Sequence, residues 1–301
     1  MSNRNGDIWI AAKGLLGLGL PLVGAAVAGF MIHMTDTVML GWYSVTALAA
    51  ATIGTSLWFV IFIVGAGFGH AVMPLVAEAS AAGDEVRVRR VTRMALWLSG
   101  LFSCFAMVLL WNAEPILLAM GQVPEVASQA RDYLRIAGFG ILPALAANVL
   151  RAYLGALKLT AVQLWITLAG LVLNALVNYA LIFGNWGAPE LGIRGAAMAS
   201  VLLQTLTFVA LAVYAAKRLP QYTLFIRFWR PDPGAMNQVF RLGLPIGLTS
   251  LAESGLFTGS AIMMGWIGET ELAAHGIALQ LTALAFMFHV GMSQAATVQA
   301  G

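Results

Sequence analysis

Asp36 and Glu253 are the two carboxylates that fall inside long uncharged stretches of this chain. A charge at the centre of a hydrocarbon layer costs at least about 2.5–3.5 kcal/mol, so each is by default a functional group. Asn174 and Asn178 are spaced i, i+4 and therefore share one face of a helix. One carboxylate with two side-chain amides is a hard-oxygen set that suits Na⁺. It equally suits a proton held on the carboxyl group and steadied by the amides. Two structural readings stand beside these. Asp36 could be a carboxylate bonded to Thr35 or Thr37, and the asparagines could be interhelical glue worth about 0.6 kcal/mol each. His33 lies one turn before Asp36 and could tune its protonation. Tyr179 and Ser200 are further candidates for the same cavity, and His289 lies mid-span later in the chain. No zinc-spaced pair, nucleophile–base set, phosphate loop or Rossmann glycine pattern is present. The sequence therefore predicts no catalytic residue and no cofactor. The one metal it suggests is Na⁺ at Asp36, Asn174 and Asn178.

The composition says where these groups sit. Of 301 residues, 60% are hydrophobic and 10% charged, and mean hydropathy is +0.85. A soluble domain needs about 25% charged residues to keep its surface wet. A soluble enzyme, a nucleic-acid-binding module and a disordered chain are thereby excluded as descriptions of the whole. The single cysteine, Cys104, excludes an intrachain disulfide.

A helix crosses the hydrocarbon core in about 20 apolar residues. Uncharged runs predict spans at 15–40, 47–73, 94–112, 132–152, 162–184, 193–216, 240–266 and 272–297. With the N-terminus inside, 13 Lys and Arg fall on cytoplasmic segments and 3 outside, which is the bias that sets orientation. Trp42, Tyr43, Trp111, Trp186 and Trp266 then mark the outer interface.

The segment Leu18-Gly19-Leu20-Pro21 recurs as Leu242-Gly243-Leu244-Pro245, an offset of 224. The register continues without a gap: Trp42 matches Trp266, Gly67 matches Gly291, and positions 18–77 hold 17 identities. Six spans separate the two starts, so both copies begin on the same side. They are parallel repeats, related by an axis along the membrane normal. The chain ends two spans into its second copy. A complete half would need four more helices, about 140–150 residues at this repeat length, so a C-terminally truncated sequence is expected. The organisation read here is a six-helix lobe over 1–216, a cytoplasmic linker over 217–239, and the first two helices of an incomplete second lobe over 240–301. In the linker, Thr223–Trp229 mixes aromatics with Arg227 and should lie along the interface, with Pro231, Pro233 and Gly234 stopping it before the seventh span.

These motifs resemble the multidrug and toxic compound extrusion (MATE) family, in its bacterial NorM-like branch. The resemblance runs from Leu20-Pro21 through Asp36-Thr37 to Leu40-Gly41. It continues with Leu173-Asn174 through Asn178-Tyr179 to Phe183-Gly184, then Gly187–Gly192 and Gly195-Ala196-Ala197. Its last part runs from Gly243-Leu244-Pro245 through Glu253 to Ala273-Ala274-His275. It implies an all-α polytopic membrane protein with eight of the twelve helices of a 6+6 parallel-repeat transporter. The implied activity is secondary antiport, exporting amphipathic, often cationic drugs in exchange for Na⁺ or H⁺. Asp36, Asn174 and Asn178 would belong to a first-lobe cation site and Glu253 to a second. The alternatives are a lipid-linked-oligosaccharide flippase of the same superfamily and an intramembrane enzyme. The expected setting is the bacterial inner membrane, with a monomer surrounded by lipid, handling small molecules and no nucleic acid.

Overall fold

The computed structural model describes residues 4–267 and 269–300. Side chains are described from 13 to 298, except at 258, 261–262, 265–274, 276–277, 280 and 284. The described residues form helices and loops without a strand. The helices are α1 (Arg4–Tyr43), α2 (Val45–Ala81), α3 (Glu85–Trp111), α4 (Ala113–Ala119), α5 (Pro124–Ala137), α6 (Ile141–Ala156), α7 (Ala161–Phe183), α8 (Ile193–Arg218), α9 (Pro233–Ile267) and α10 (Glu269–Ala300). In lipid every backbone polar group must be satisfied within the chain, and long helices do this segment by segment.

Seven stretches among the described residues combine the length and apolarity needed to cross a bilayer, against eight predicted spans. The difference is α9. At 35 residues it is long enough, but Arg241, Glu253 and its Ser and Thr residues dilute its hydropathy. Two boundaries also move. Helix α2 continues past Pro74 to Ala81, carrying Glu78 on its last turns. Pro233 and Gly234 open α9 instead of stopping the chain before it, so the helix starts inside the predicted linker. Pro has no N–H to leave unsatisfied in a first turn, and the Asp232 Oδ1 accepts from the Gly234 and Ala235 amides, both at 3.1 Å.

The fourth predicted span is α5 and α6 joined through a 3₁₀ turn at Gly138–Gly140. The break falls on the glycines, while Pro143 sits in the first turn of α6, where it costs little. Trp58 Nε1 donates to the Ala137 carbonyl at the break, at 3.2 Å. Trp42, Trp111 and Trp186 are all at least half exposed, at the ends of α1 and α3 and in the α7–α8 turn. The Trp266 side chain lies outside the described residues.

Helix α9 packs chiefly on α2, and α10 on α1. Both crossings use glycines. A Cβ on Gly67 would lie 2.2 Å from the Gly243 carbonyl oxygen and 2.6 Å from the Gly247 nitrogen. A Cβ on Gly291 would lie 2.5 Å from Val23 Cγ2 and 2.8 Å from the Val23 nitrogen, and one on Gly19 would lie 2.6 Å from Met292 Sδ. Gly19, Val23 and Gly67 precede Gly243, Gly247 and Gly291 by 224 residues. The same pair of positions therefore meets twice with the copies exchanged, as two-fold-related contacts must.

Candidate functional site

Helix α7 is inverted relative to a soluble helix. Its buried positions are Gln163, Thr167, Gly170, Asn174, Asn178 and Ile182, spaced by four, three, four, four and four. Val172, Leu176 and Trp165 are exposed. With lipid as solvent, apolar side chains face outward and polar ones must find partners inside. The lower part of the stripe is internally satisfied: Gln163 Nε2 donates to the Arg151 carbonyl at 2.8 Å, and Thr167 donates to the Gln163 carbonyl at 2.8 Å. The upper part turns to α1. Asn174 Nδ2 donates to Asp36 Oδ1 at 3.0 Å, and Asn178 Nδ2 donates to the same oxygen at 2.5 Å. Asn178 Nδ2 also lies 3.3 Å from Asn174 Oδ1. Both asparagines are buried, at 1% and 0% exposure.

The three polar residues read together from the sequence thus meet in the structure. The threonines beside Asp36 do not serve it. Thr35 donates to the Met31 carbonyl and Thr37 to the His33 carbonyl, both within α1 at 2.9 Å. Asp36 also opens onto a small cavity of about 90 Å³, lined by His33, Thr52, Thr55, Tyr133 and Ser200 among others. A water molecule occupies roughly 30 Å³ of liquid. The space therefore suits an ion with little or part of its hydration shell, and is far smaller than the roughly 300–1,000 Å³ of a drug-sized pocket. The Asn178 Oδ1 is buried without a hydrogen-bond partner. Buried acceptors are nearly always paired, so this oxygen is a candidate ligand atom. Which way an amide points follows from its hydrogen-bond network, and a turn of either amide would aim a second oxygen at the space in front of Asp36.

Tyr179 and His289, read as possible cavity residues, do not line this cavity, and Glu253, read as part of a second site, lies apart from it. Tyr179 is 44% exposed and packs on Phe183 and Trp186. One residue past Asn178 is a step of about 100° around the helix, which points it off the buried face. His289 is exposed on α10, with Nδ1 2.8 Å from the Ala285 carbonyl of its own helix. Glu253 is exposed on α9, which packs mainly on α2, α3 and α10. The repeat counterpart of Asp36 is Ser260, which lies 3.2 Å from His275 Nε2. The second copy thus carries a hydroxyl where the first has its carboxylate.

Tyr133, Thr52 and Thr55 were not singled out from the sequence. Tyr133, on α5, is 6% exposed and lines the cavity together with Ser200. The two threonines lie a turn apart on α2, a weak signal available only once α2 is known to flank α1. Gln163 and Thr167 continue the Asn174/Asn178 spacing and were legible as an extension of it.

The MatE family model matches residues 21–180 and 245–301. Its two matches begin at Pro21 and Pro245, the same position of the repeat. A Rhizobium meliloti protein named probable multidrug resistance protein NorM is 49% identical over 287 residues, covering 94% of this chain and 61% of the relative. An Agrobacterium fabrum protein of the same name is 45% identical over 291 residues, covering 96% and 63%. Among solved structures, an outward-facing multidrug resistance MATE family transporter of the MOP superfamily superposes with a TM-score of 0.83 at 22% identity, covering 95% of this chain and 63% of that one. A MOP superfamily transporter from Pyrococcus furiosus superposes with a TM-score of 0.81 at 21% identity, over 95% of this chain and 63% of that one. These likenesses establish the fold. The chain spans 61–63% of the length of these relatives.

Proposed function

The chain belongs to the MatE family, and from that premise we propose that it acts in a secondary antiporter exporting amphipathic, often cationic compounds in exchange for Na⁺ or H⁺. The observation that carries the reading is the Asp36 carboxylate, held by two buried asparagine amides beside an ion-sized cavity. The relatives' names, which speak of multidrug resistance, support the substrate class. We further propose that residues 1–216 form one lobe and 240–301 belong to the other. The N-terminus lies in the cytoplasm of a bacterial inner-membrane protein, on the strength of the Lys and Arg distribution.

Ion and drug must favour different conformations for exchange to be coupled. Asp36 can do this from α1. With a cation or proton bound, the carboxylate no longer needs both amide donors, so the α1–α7 contact changes with occupancy. Such differential contact is what an ion needs in order to shift an equilibrium. Glu253 is proposed only as a second acidic group on α9, apart from this site.

Asp36→Asn tests the reading. It keeps the shape and removes the charge, and removing a charge lowers the insertion cost. Vesicles holding equal amounts of each protein, loaded with a fluorescent organic cation, are given a Na⁺ or H⁺ gradient. In parallel, Na⁺ and pH titrations of thermal stability report ion binding without transport, since a ligand of the folded state stabilises it by mass action. The variant is expected to insert normally, to lose gradient-driven efflux, and to lose ion-dependent stabilisation. Wild-type efflux together with unchanged ion stabilisation would sink the proposal.

A further inference from the structure

A second cavity, about 780 Å³, lies apart from Asp36 and shares no lining residue with the Asp36 cavity. Helices α3 and α8 each pack on α6. Between them they leave a groove whose floor includes Leu142 and whose walls include Leu101 and Phe208. The exposed Leu101, Cys104, Leu142 and Thr205 show that it opens sideways, toward hydrocarbon. At one end it is closed by Phe225 and Phe228 of the segment between α8 and α9.

That segment is fastened in place. Arg93, 8% exposed, donates to the carbonyls of Leu224 at 2.6 Å, of Thr223 at 2.9 Å, and of Ile226. Arg89 Nη1 donates to Thr223 Oγ1 at 2.8 Å. Trp97 Nε1 donates to the Phe228 carbonyl at 2.9 Å, and its ring stacks on Phe228 at 6.1 Å. With Thr223 and Arg227 in the left-handed region, at φ +44° and +55°, the segment turns Phe225 and Phe228 onto the groove. Arg227 and Arg230 are left exposed beside it. Lys217 and Arg218, in the last turn of α8, add two further exposed cations. The one carboxylate of the segment, Asp232, caps α9 and lies 3.4 Å from Arg90.

We propose that this groove seats one acyl chain of an anionic phospholipid, whose headgroup phosphate is held by Arg227 and Arg230. The charge pattern chooses the occupant. No carboxylate lines the groove, so a cationic drug would find no counter-charge there. An acyl chain needs none, and its phosphate arrives where the arginines stand. Apolar contact along the groove and a cationic rim at the headgroup level are the two signals by which a lipid is recognised over its neighbours. The inference rests on the membrane-spanning reading of the helices and not on the Asp36 site or on which face of the membrane is cytoplasmic.

The test uses the protein in phosphatidylcholine nanodiscs doped with a phosphatidylglycerol or a phosphatidylcholine that carries a diazirine in its acyl chain. After irradiation, crosslinked residues are mapped by mass spectrometry. Groove residues Leu101, Cys104 and Leu142 are compared with the lipid-facing Trp165 and Val172 of α7. The glycerol lipid is expected to label the groove roughly fivefold or more above the choline lipid, about the factor one basic residue supplies at an anionic surface. The excess should be absent on α7 and should vanish in Arg227→Gln/Arg230→Gln. Thr205→Trp, which fills the groove, should remove labelling by both probes there and leave α7 unchanged. Thermal melts check that the variants fold, and all three sites are on the exposed surface. Equal labelling of groove and α7, or an excess that survives the double substitution, would overturn the proposal. So would displacement by a hydrophobic organic cation but not by unlabelled phosphatidylglycerol, which would make the groove a substrate site. An altered Asp36 site would leave the labelling pattern as it is, so the two readings fail separately.

Discussion

Replacing Gly67 by alanine is a severe test of the way α9 sits on the bundle. The added Cβ would lie 2.2 Å from the Gly243 oxygen, 2.6 Å from the Gly247 nitrogen and 2.8 Å from the Gly247 Cα. An ordinary contact needs about 3.5 Å, so α2 and α9 must part by more than an ångström. No rotamer change can relieve this, because all three atoms are backbone. Overpacking of this kind costs about 1–3 kcal/mol, and the rigid neighbours put Gly67→Ala at the upper end. Helix propensity pulls the other way by about 1 kcal/mol, leaving a net loss of about 2 kcal/mol. Gly29 is the control: it lies in α1 with nothing within 4 Å of its would-be Cβ, so alanine there should be neutral or gain about 1 kcal/mol. Tryptophan-fluorescence melts in detergent should place the two variants several degrees apart, with Gly67→Ala lower. Hydrogen exchange should rise over 240–250 in Gly67→Ala alone. Gly291→Ala, the repeat counterpart, should behave like Gly67→Ala but more mildly, because its nearest backbone contact, the Val23 nitrogen, would lie at 2.8 Å against 2.2 Å at Gly67. Equal Tm values for Gly67→Ala and Gly29→Ala, with unchanged exchange, would refute the close crossing.

Arg93→Ala should release the segment over 223–229, since three carbonyls lose a charged donor worth about 1.5–3 kcal/mol per bond. Trypsin cleavage after Arg227 should accelerate, and lysine at position 93 should restore only part of the protection, having no planar fork. Trp58→Phe removes the side-chain donor to the Ala137 carbonyl at the α5–α6 break and should cost about 0.5–1.5 kcal/mol, read as a lower melting temperature. Tyr133→Phe, which removes the hydroxyl without emptying the space, should change ion-dependent stabilisation more than it changes stability in the absence of ions. Equal changes in both would assign Tyr133 a packing role only.

Much of this protein was legible along the chain because membranes impose a one-dimensional code. Span lengths follow from bilayer thickness, the repeat from a constant offset of 224, and the shared face of Asn174 and Asn178 from helix periodicity. Asp36 could be matched to them because depth in a bilayer can be counted in residues. What depth cannot say is which helices are neighbours. Lipid tails are as apolar as leucine, so hydropathy does not distinguish a face turned to lipid from one turned to another helix. Tyr179 shows the limit: it has the right depth beside Asn178, and one residue of rotation carries it to the surface. Tyr133, Thr52 and Thr55 show the converse, reaching the Asp36 cavity only because α5 and α2 pack where they do. The role of Arg93 was equally hidden. Its charge reads as one more cytoplasmic cation, and only the folded segment between α8 and α9 supplies the carbonyls that bury it. Local spacing determined the elements and their depth. Lateral packing decided the partners, because it depends on small residues meeting across helices, such as Gly67 against Gly243, whose pairing no periodicity in either helix records.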